Sequence, residues 1–189
     1  DLDEITITDA KVTGGALLGA GIYALDTDLT ISGLANNSSF SAPNLTGEDQ
    51  ADWGAGIYCN NGFLDVTDTD FEDLRAGEEG AGIYTTGSCE TTVDNASFNR
   101  MDVNRGDGDG WAIMIAATGV HGISNSIFTA NIGLDSGAVR VDGGTMVALN
   151  GNFFDGNQGG EGSHLYLEVD ATDFGSTYLN ADAGAVRTE

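Results

Sequence analysis

Apolar and polar positions alternate in short stretches along this chain. Ile5 and Ile7, Leu29 and Ile31, Leu64 and Val66, Thr91 and Val93, His121 and Ile123, and Val147 and Leu149 share one face of these stretches. Thr6, Thr30, Asp65, Thr92, Gly122 and Ala148 share the other. A period of two predicts β-strands with one buried face, and no long stretch of helical periodicity competes with it. Most of these stretches follow, by nine or ten residues, a recurring phrase: Gly19-Ala20-Gly21-Ile22-Tyr23, Gly54-Ala55-Gly56-Ile57-Tyr58 and Gly80-Ala81-Gly82-Ile83-Tyr84. Weaker copies follow as Gly110-Trp111-Ala112-Ile113-Met114, Ser136-Gly137-Ala138-Val139-Arg140 and Gly162-Ser163-His164-Leu165-Tyr166.

A third apolar site comes five residues beyond the second. It is Val12, Phe71, Phe98, Phe128 and Phe154, and Phe40 joins them after four extra residues. From Ile22 through Ile57, Ile83, Ile113 and Val139 to Leu165, the period is 35, 26, 30, 26 and 26 residues. Repetition at roughly 20–50 residues marks a solenoid, propeller or array. Three short strands per period, separated by turns of Gly, Asn, Asp and Ser, predict the coil of a three-sided parallel β-helix. A sandwich of hairpins would not keep three equivalent anchors in register over six turns. The expected fold is therefore an all-β, right-handed parallel β-helix (β-solenoid) of six to seven coils, stacked about 4.8 Å apart. It forms a single domain over residues 1–189, with a clear register over 5–167 and an irregular or shortened last coil over 168–189, where Gly184-Ala185-Val186-Arg187 repeats the phrase early. No amphipathic capping helix is visible at either end, and the first residue is Asp1 rather than Met. A processed product, a piece of a longer solenoid, or ends capped by neighbouring subunits are the expectations that follow.

Gly-Ala-Gly-Ile-Tyr followed by Phe-x-x-Asn resembles the GGAI and FxxN repeats of polymorphic outer-membrane proteins, and more widely the right-handed parallel β-helix repeat proteins. Phe128-Thr129-Ala130-Asn131 and Phe154-Asp155-Gly156-Asn157 match FxxN in full, whereas Phe71 and Phe98 are followed three residues on by Leu74 and Met101. The right-handed sense is what the resemblance implies, as is a secreted or surface-attached protein, often adhesive. It implies no single activity. In such a coil Asn131 and Asn157 would stack at a turn, their amides bonding along the axis.

Thirty acidic residues against six basic ones give a formal net charge of −24. Such a surface repels nucleic acid and anionic lipid, and no apolar run reaches membrane-spanning length. Neither nucleic-acid binding nor membrane insertion is expected. Divalent cations, high salt and solubility suit this charge.

Candidate chemistry is sparse. Cys59 and Cys89, in a chain that reads as extracellular, either pair or are two buried thiols. They fall on the same edge of adjacent coils, three positions out of register. Tyr23, Tyr58, Tyr84 and Tyr166 follow the first anchors, with Met114 and Arg140 between them. If the anchors face inward, these residues form an outward aromatic stripe fit for a partner subunit or a sugar; if the face is reversed, they are core. The longest variable segments, 41–56 and 99–112, each hold a tryptophan (Trp53, Trp111) beside carboxylates. Loops on one edge of a solenoid often form its binding face, although both tryptophans stand just before a strand and could pack down over it. Asp102, Asp107 and Asp109, among glycines, offer oxygens to calcium, but Arg105 sits awkwardly beside a cation and the loop lacks a closing Glu. A polysaccharide lyase would need a base near carboxylates or calcium, and a hydrolase converging carboxylates; Lys11, Arg75, Arg100, Arg105, Arg140 and Arg187 form no recognisable cluster in sequence.

The function expected first is a secreted structural or adhesive solenoid, a subunit or segment of a cell-surface or extracellular filament or layer, in contact with copies of itself or with a surface. The alternative is a carbohydrate-binding or polysaccharide-cleaving module that uses the long-loop edge. No cofactor other than a candidate calcium ion follows from the residues.

Overall fold

The computed structural model describes residues 2–3, 6–8, 21–33, 38–41, 51–103, 111–133, 137–144, 146–160, 163–181 and 185–188. Among them there is no helix, and every strand pairing is parallel. The chain is a parallel β-solenoid. Its first side stacks Ile22–Leu25, the start of Ile57–Thr67, the start of Ile83–Asp94, Ile113–Ile115, Val139–Val141, Leu165–Leu167 and Val186–Thr188. Its second side stacks Leu2–Asp3, Leu29–Ser32, the later halves of Ile57–Thr67 and Ile83–Asp94, Val120–Ser124, Met146–Asn150 and Ala171–Phe174. Because two strands run unbroken through the corner, these two sides form one twelve-stranded sheet. The third side is a separate sheet of seven strands, from Thr6–Thr8 to Thr177–Leu179. A short strip of Ala51–Trp53, Arg75–Glu79 and Asp102–Val103 leads back towards the first side.

From Ile31 onward the predicted second and third anchors up to Phe154 are buried rungs of the interior, but the first turn is shifted: Leu2, not Ile7, pairs with Ile31 on the second side, and Ile7 pairs with Phe40 on the third, while Val12 lies outside the described residues. Four turns have all three anchors buried: Ile57, Val66 and Phe71; Ile83, Val93 and Phe98; Ile113, Ile123 and Phe128; and Val139, Leu149 and Phe154. That makes about four full turns rather than six to seven. The flanking ones are only partly closed: Ile22 is half-buried, and in the turn opened by Leu165 the second and third anchors are Asp173, exposed, and Tyr178, half-buried. On the third side Phe40, Phe71, Phe98, Phe128, Phe154 and Tyr178 stack ring on ring at 4.6 to 5.0 Å between centroids. This is the spacing that parallel strands impose on identical side chains, so the aromatic column follows from register alone.

The glycines of the recurring phrase have separate causes. Gly54 takes φ +60, and a Cβ there would stand 2.4 Å from the Ile57 carbonyl oxygen, so the first glycine supplies a left-handed turn. A Cβ on Gly56 would stand 2.5 Å from the Gly82 carbonyl oxygen and press on Leu74 and Phe71. The second glycine is thus a point of close approach between coils. Ala55 and Ala81 between them, like Ile57 and Ile83, belong to the core.

Two ladders of polar side chains close the corners. After the third side, Asn131 donates from Nδ2 to the Phe98 carbonyl at 3.1 Å and to Asn157 Oδ1 at 2.8 Å, and accepts at Oδ1 from the Met101 amide at 2.9 Å. Asn157 repeats this one coil on, donating to the Phe128 carbonyl at 3.0 Å. Before the third side, Ser126 and Asn152 do the same work: the Ala96 amide donates to Ser126 Oγ, and the Ser126 amide to Asn152 Oδ1. The first ladder is the one expected from FxxN; the second had no motif to announce it.

The register also continues where the sequence loses it. Leu165 pairs with Val186 and Tyr166 with Arg187, and Leu149 stands opposite Asp173. The stretch 168–189 hides its coil because its anchor positions are polar or aromatic and its last phrase is early.

Candidate functional site

The residues after the first anchors do lie opposite the interior, but they are not an exposed stripe. Tyr23 is 47% exposed, whereas Tyr58 is 7%, Met114 3% and Tyr166 5% exposed, and Tyr84 is half-buried. Tyr23, Tyr58 and Tyr84 stack at 5.2 and 5.5 Å. Burial raises the Tyr58 phenol, helped by Tyr23, and raises Tyr84 to about 12, helped by Glu79. Further along, the Arg140 guanidinium lies 4.5 Å from the ring centroids of both Trp111 and Tyr166. Its Nε donates to Asp142 and its Nη2 to Glu168 at 3.2 Å. Burial opposes the charge on Arg140, but Asp142 and Glu168 more than offset it, so its pKa is raised. The column is therefore not the uniformly open stripe expected: Tyr23 is exposed, Tyr84 half-buried and Tyr58, Met114 and Tyr166 buried, held by stacking and cation–π contact.

Trp111 is fully buried, with a cation already over its ring, so it offers no face to a sugar. Trp53 is half-buried on the returning strip, opposite Glu79. Trp111 is thus packed into the solenoid, the plainer of the two expectations, while Trp53 stays partly open.

Cys59 and Cys89 form a disulfide, with their Cα atoms 6.3 Å apart, inside the usual range. Thr86 pairs with Asn60 but Cys89 with Gly62, so the later strand carries one extra residue at this corner. The disulfide spans the corner where this bulge sits.

Of the calcium candidates, Asp107 and Asp109 lie outside the described residues. Asp102 Oδ2 faces Arg75 Nε at 3.5 Å, so its nearest charge is already a cation. Among the described residues no group of three or more His, Cys, Asp or Glu is placed to hold a metal ion.

The cluster that sequence order concealed lies at the corner after the third side. Asp73, Arg100 and Ala130 occupy the same turn position on three successive coils, with φ 56, 56 and 53. Two residues on, Arg75, Asp102 and Ile132 are likewise aligned, Arg75 with Asp102 and Asp102 with Ile132. With Met101 they line a groove of about 400 Å³. The charges alternate in both directions: Asp73 and Arg75 on one coil, Arg100 and Asp102 on the next. Arg100 donates to Asp73 at 2.6 and 2.9 Å and to Glu72 at 2.7 Å. The hydrogen bond from Arg100 holds the Asp73 carboxyl below its usual range, and the same contacts raise the Arg100 pKa. Counting from each Phe anchor would have found the cluster, since its members stand two and four residues after Phe71, Phe98 and Phe128.

No protein-family model matches the chain, and no curated protein or solved structure matches it.

Proposed function

We propose that this chain is a secreted structural or adhesive β-solenoid, a subunit or segment of an extracellular or cell-surface filament or layer that contacts copies of itself or a surface. The observation that carries this reading is the uninterrupted interior stack, with Cys59–Cys89 stapling two of its coils. Repeated identical rungs make a stiff spacer rather than a chambered globule. A buried disulfide is at home in an oxidising, extracytoplasmic compartment. A surface carrying −24 keeps such a rod soluble and turns it away from nucleic acid and anionic lipid. The finer kinship with polymorphic outer-membrane protein repeats rests on the phrase and on FxxN, whose asparagines have the buried, axis-bonding role described above.

Electron microscopy of the purified chain, with and without calcium, tests the reading. Rods or sheets longer than one chain are expected. A uniform population of short single particles under every condition contradicts it.

A further inference from the structure

We propose that the groove between the Asp73–Arg100–Ala130 column and the Arg75–Asp102–Ile132 column binds a neutral polyhydroxylated ligand, a segment of uncharged glycan. This site lies on the same edge as the long loops, at the start of segment 99–112, but it uses Arg75 and Asp102 rather than the tryptophans, and it does not depend on self-assembly.

The first argument is the difference between the two ion pairs. Arg100 is fully engaged by Asp73 and Glu72. Arg75 and Asp102 are not: their closest approach is 3.5 Å, too long for a hydrogen bond of ordinary strength. The other Asp102 oxygen, Oδ1, is buried and meets no donor among the described residues. Re-aiming Asp102 towards a ligand therefore breaks no short hydrogen bond. A hydroxyl is the neutral group that can donate to a carboxylate and accept from a guanidinium at once, and vicinal hydroxyls present two of them side by side.

The second argument is what surrounds the pair. Met101 forms the floor, and Ala130 and Ile132 carry the groove onto the next coil, with Ile132 45% exposed. Apolar surface beside fixed polar groups suits the C–H face of a sugar ring. The volume, about 400 Å³, falls within the usual span for small-ligand pockets.

The third argument is charge. Two arginines and two aspartates make the lining neutral in a chain of net charge −24. An anionic polymer would be repelled on its way in, and the positive charges it would need are already paired or partnered.

Backbone pairing disfavours an extended peptide. Asp102 N–H donates to Leu74, Ile132 N–H to Met101 and Gly133 N–H to Gln158. Among the described residues the corner therefore exposes no run of free backbone groups to which a strand could add.

The test is a panel of immobilised oligosaccharides, neutral gluco-, manno- and galacto-types beside anionic uronate types, with an extended peptide as a further probe. The full chain is applied first, then Arg75→Met, Asp102→Asn and, as a control away from the groove, Asp170→Asn. Arg75 is half exposed and Asp102→Asn is isosteric, so folding is retained and is checked by circular dichroism. The expected result is saturable binding to at least one neutral glycan, weakened about tenfold or more by Arg75→Met and by Asp102→Asn and unchanged in the control. The proposal is overturned if no neutral glycan binds, if binding is confined to anionic glycans or to the peptide, or if both groove variants bind as tightly as the original chain. Assembly is read separately by particle size, so a monomer that binds glycan and a filament that does not are distinct outcomes.

Discussion

At the corner after the third side, the Asn131 amide takes over backbone groups of the preceding coil that the turn would otherwise leave unpaired. It serves the Phe98 carbonyl and the Met101 amide while also bonding Asn157. Truncation leaves buried donors and acceptors without partners, each costing about 1–3 kcal/mol. Asn131→Ala is accordingly expected to lose about 2–4 kcal/mol in denaturant unfolding, whereas Asp170→Asn, on the surface, stays within about 0.5 kcal/mol of the original chain. Both histidines add a second residue-scale consequence. His121 donates from Nε2 to the Ala117 carbonyl, and its Nδ1 meets no partner among the described residues; His164 sits between Asn157 and the Leu179 carbonyl. Burial lowers both pKa values, partly countered by those carbonyls and by Glu90 and Asp155 respectively. A depressed folded-state pKa means that protons favour the unfolded chain. The stabilisation is complete above the unfolded value of about 6.5 and is lost as pH falls from there through the folded values. Melting temperature should therefore decline between about pH 7 and pH 5; a flat profile across that window contradicts the neutral, buried state of these side chains. Of these residues, Asn131 and Asn157 were legible because FxxN marks them. Ser126 and Asn152 were not, since a lone Ser or Asn before an aromatic strand reads as an ordinary turn.

The strands were legible for a simple reason. Parallel stacking puts equivalent residues at one distance from each other, so the pattern of one coil is repeated in the next. Phe71, Phe98 and Phe128 were visible in sequence as a column before any ring was placed. Removing the ring of Phe98, stacked at 4.6 Å on Phe71 and 5.0 Å on Phe128, opens a cavity between two rungs. Phe98→Ala is expected to cost about 3–5 kcal/mol, measured by denaturant unfolding. The exposure of the tyrosine column was not legible. Alternation tells which side of a strand a residue occupies, but not how far its neighbours bury it, as the Arg140 guanidinium does between the rings of Trp111 and Tyr166. The disulfide stands between these cases: sequence put both cysteines at one corner but left pairing and two buried thiols both open, and the fold of that corner brings their Cα atoms to 6.3 Å. It closes a separation of 30 residues. Replacing both cysteines with serine should cost about 3 kcal/mol, and a mass unchanged by alkylation before reduction checks the bond itself.

At the scale of the whole molecule, two properties oppose each other. The repeated backbone makes a rod with equivalent surfaces at regular intervals, which favours ordered contact with further copies. The net charge of −24 drives copies apart. Salt screens that repulsion, with a Debye length of about 10 Å at 0.1 M and about 3 Å at 1 M, so association should strengthen as ionic strength rises. The solenoid was legible from the period of the chain; the groove at Arg75 and Asp102 becomes legible only when residues are counted from each Phe anchor, because its members stand a full coil apart in sequence. The most direct measurement is sedimentation velocity of the full chain over a wide concentration range at low and high salt. The expected result is a sedimentation coefficient that climbs with concentration and climbs more steeply at high salt. One small species, unchanged by concentration and by salt, would contradict the structural role.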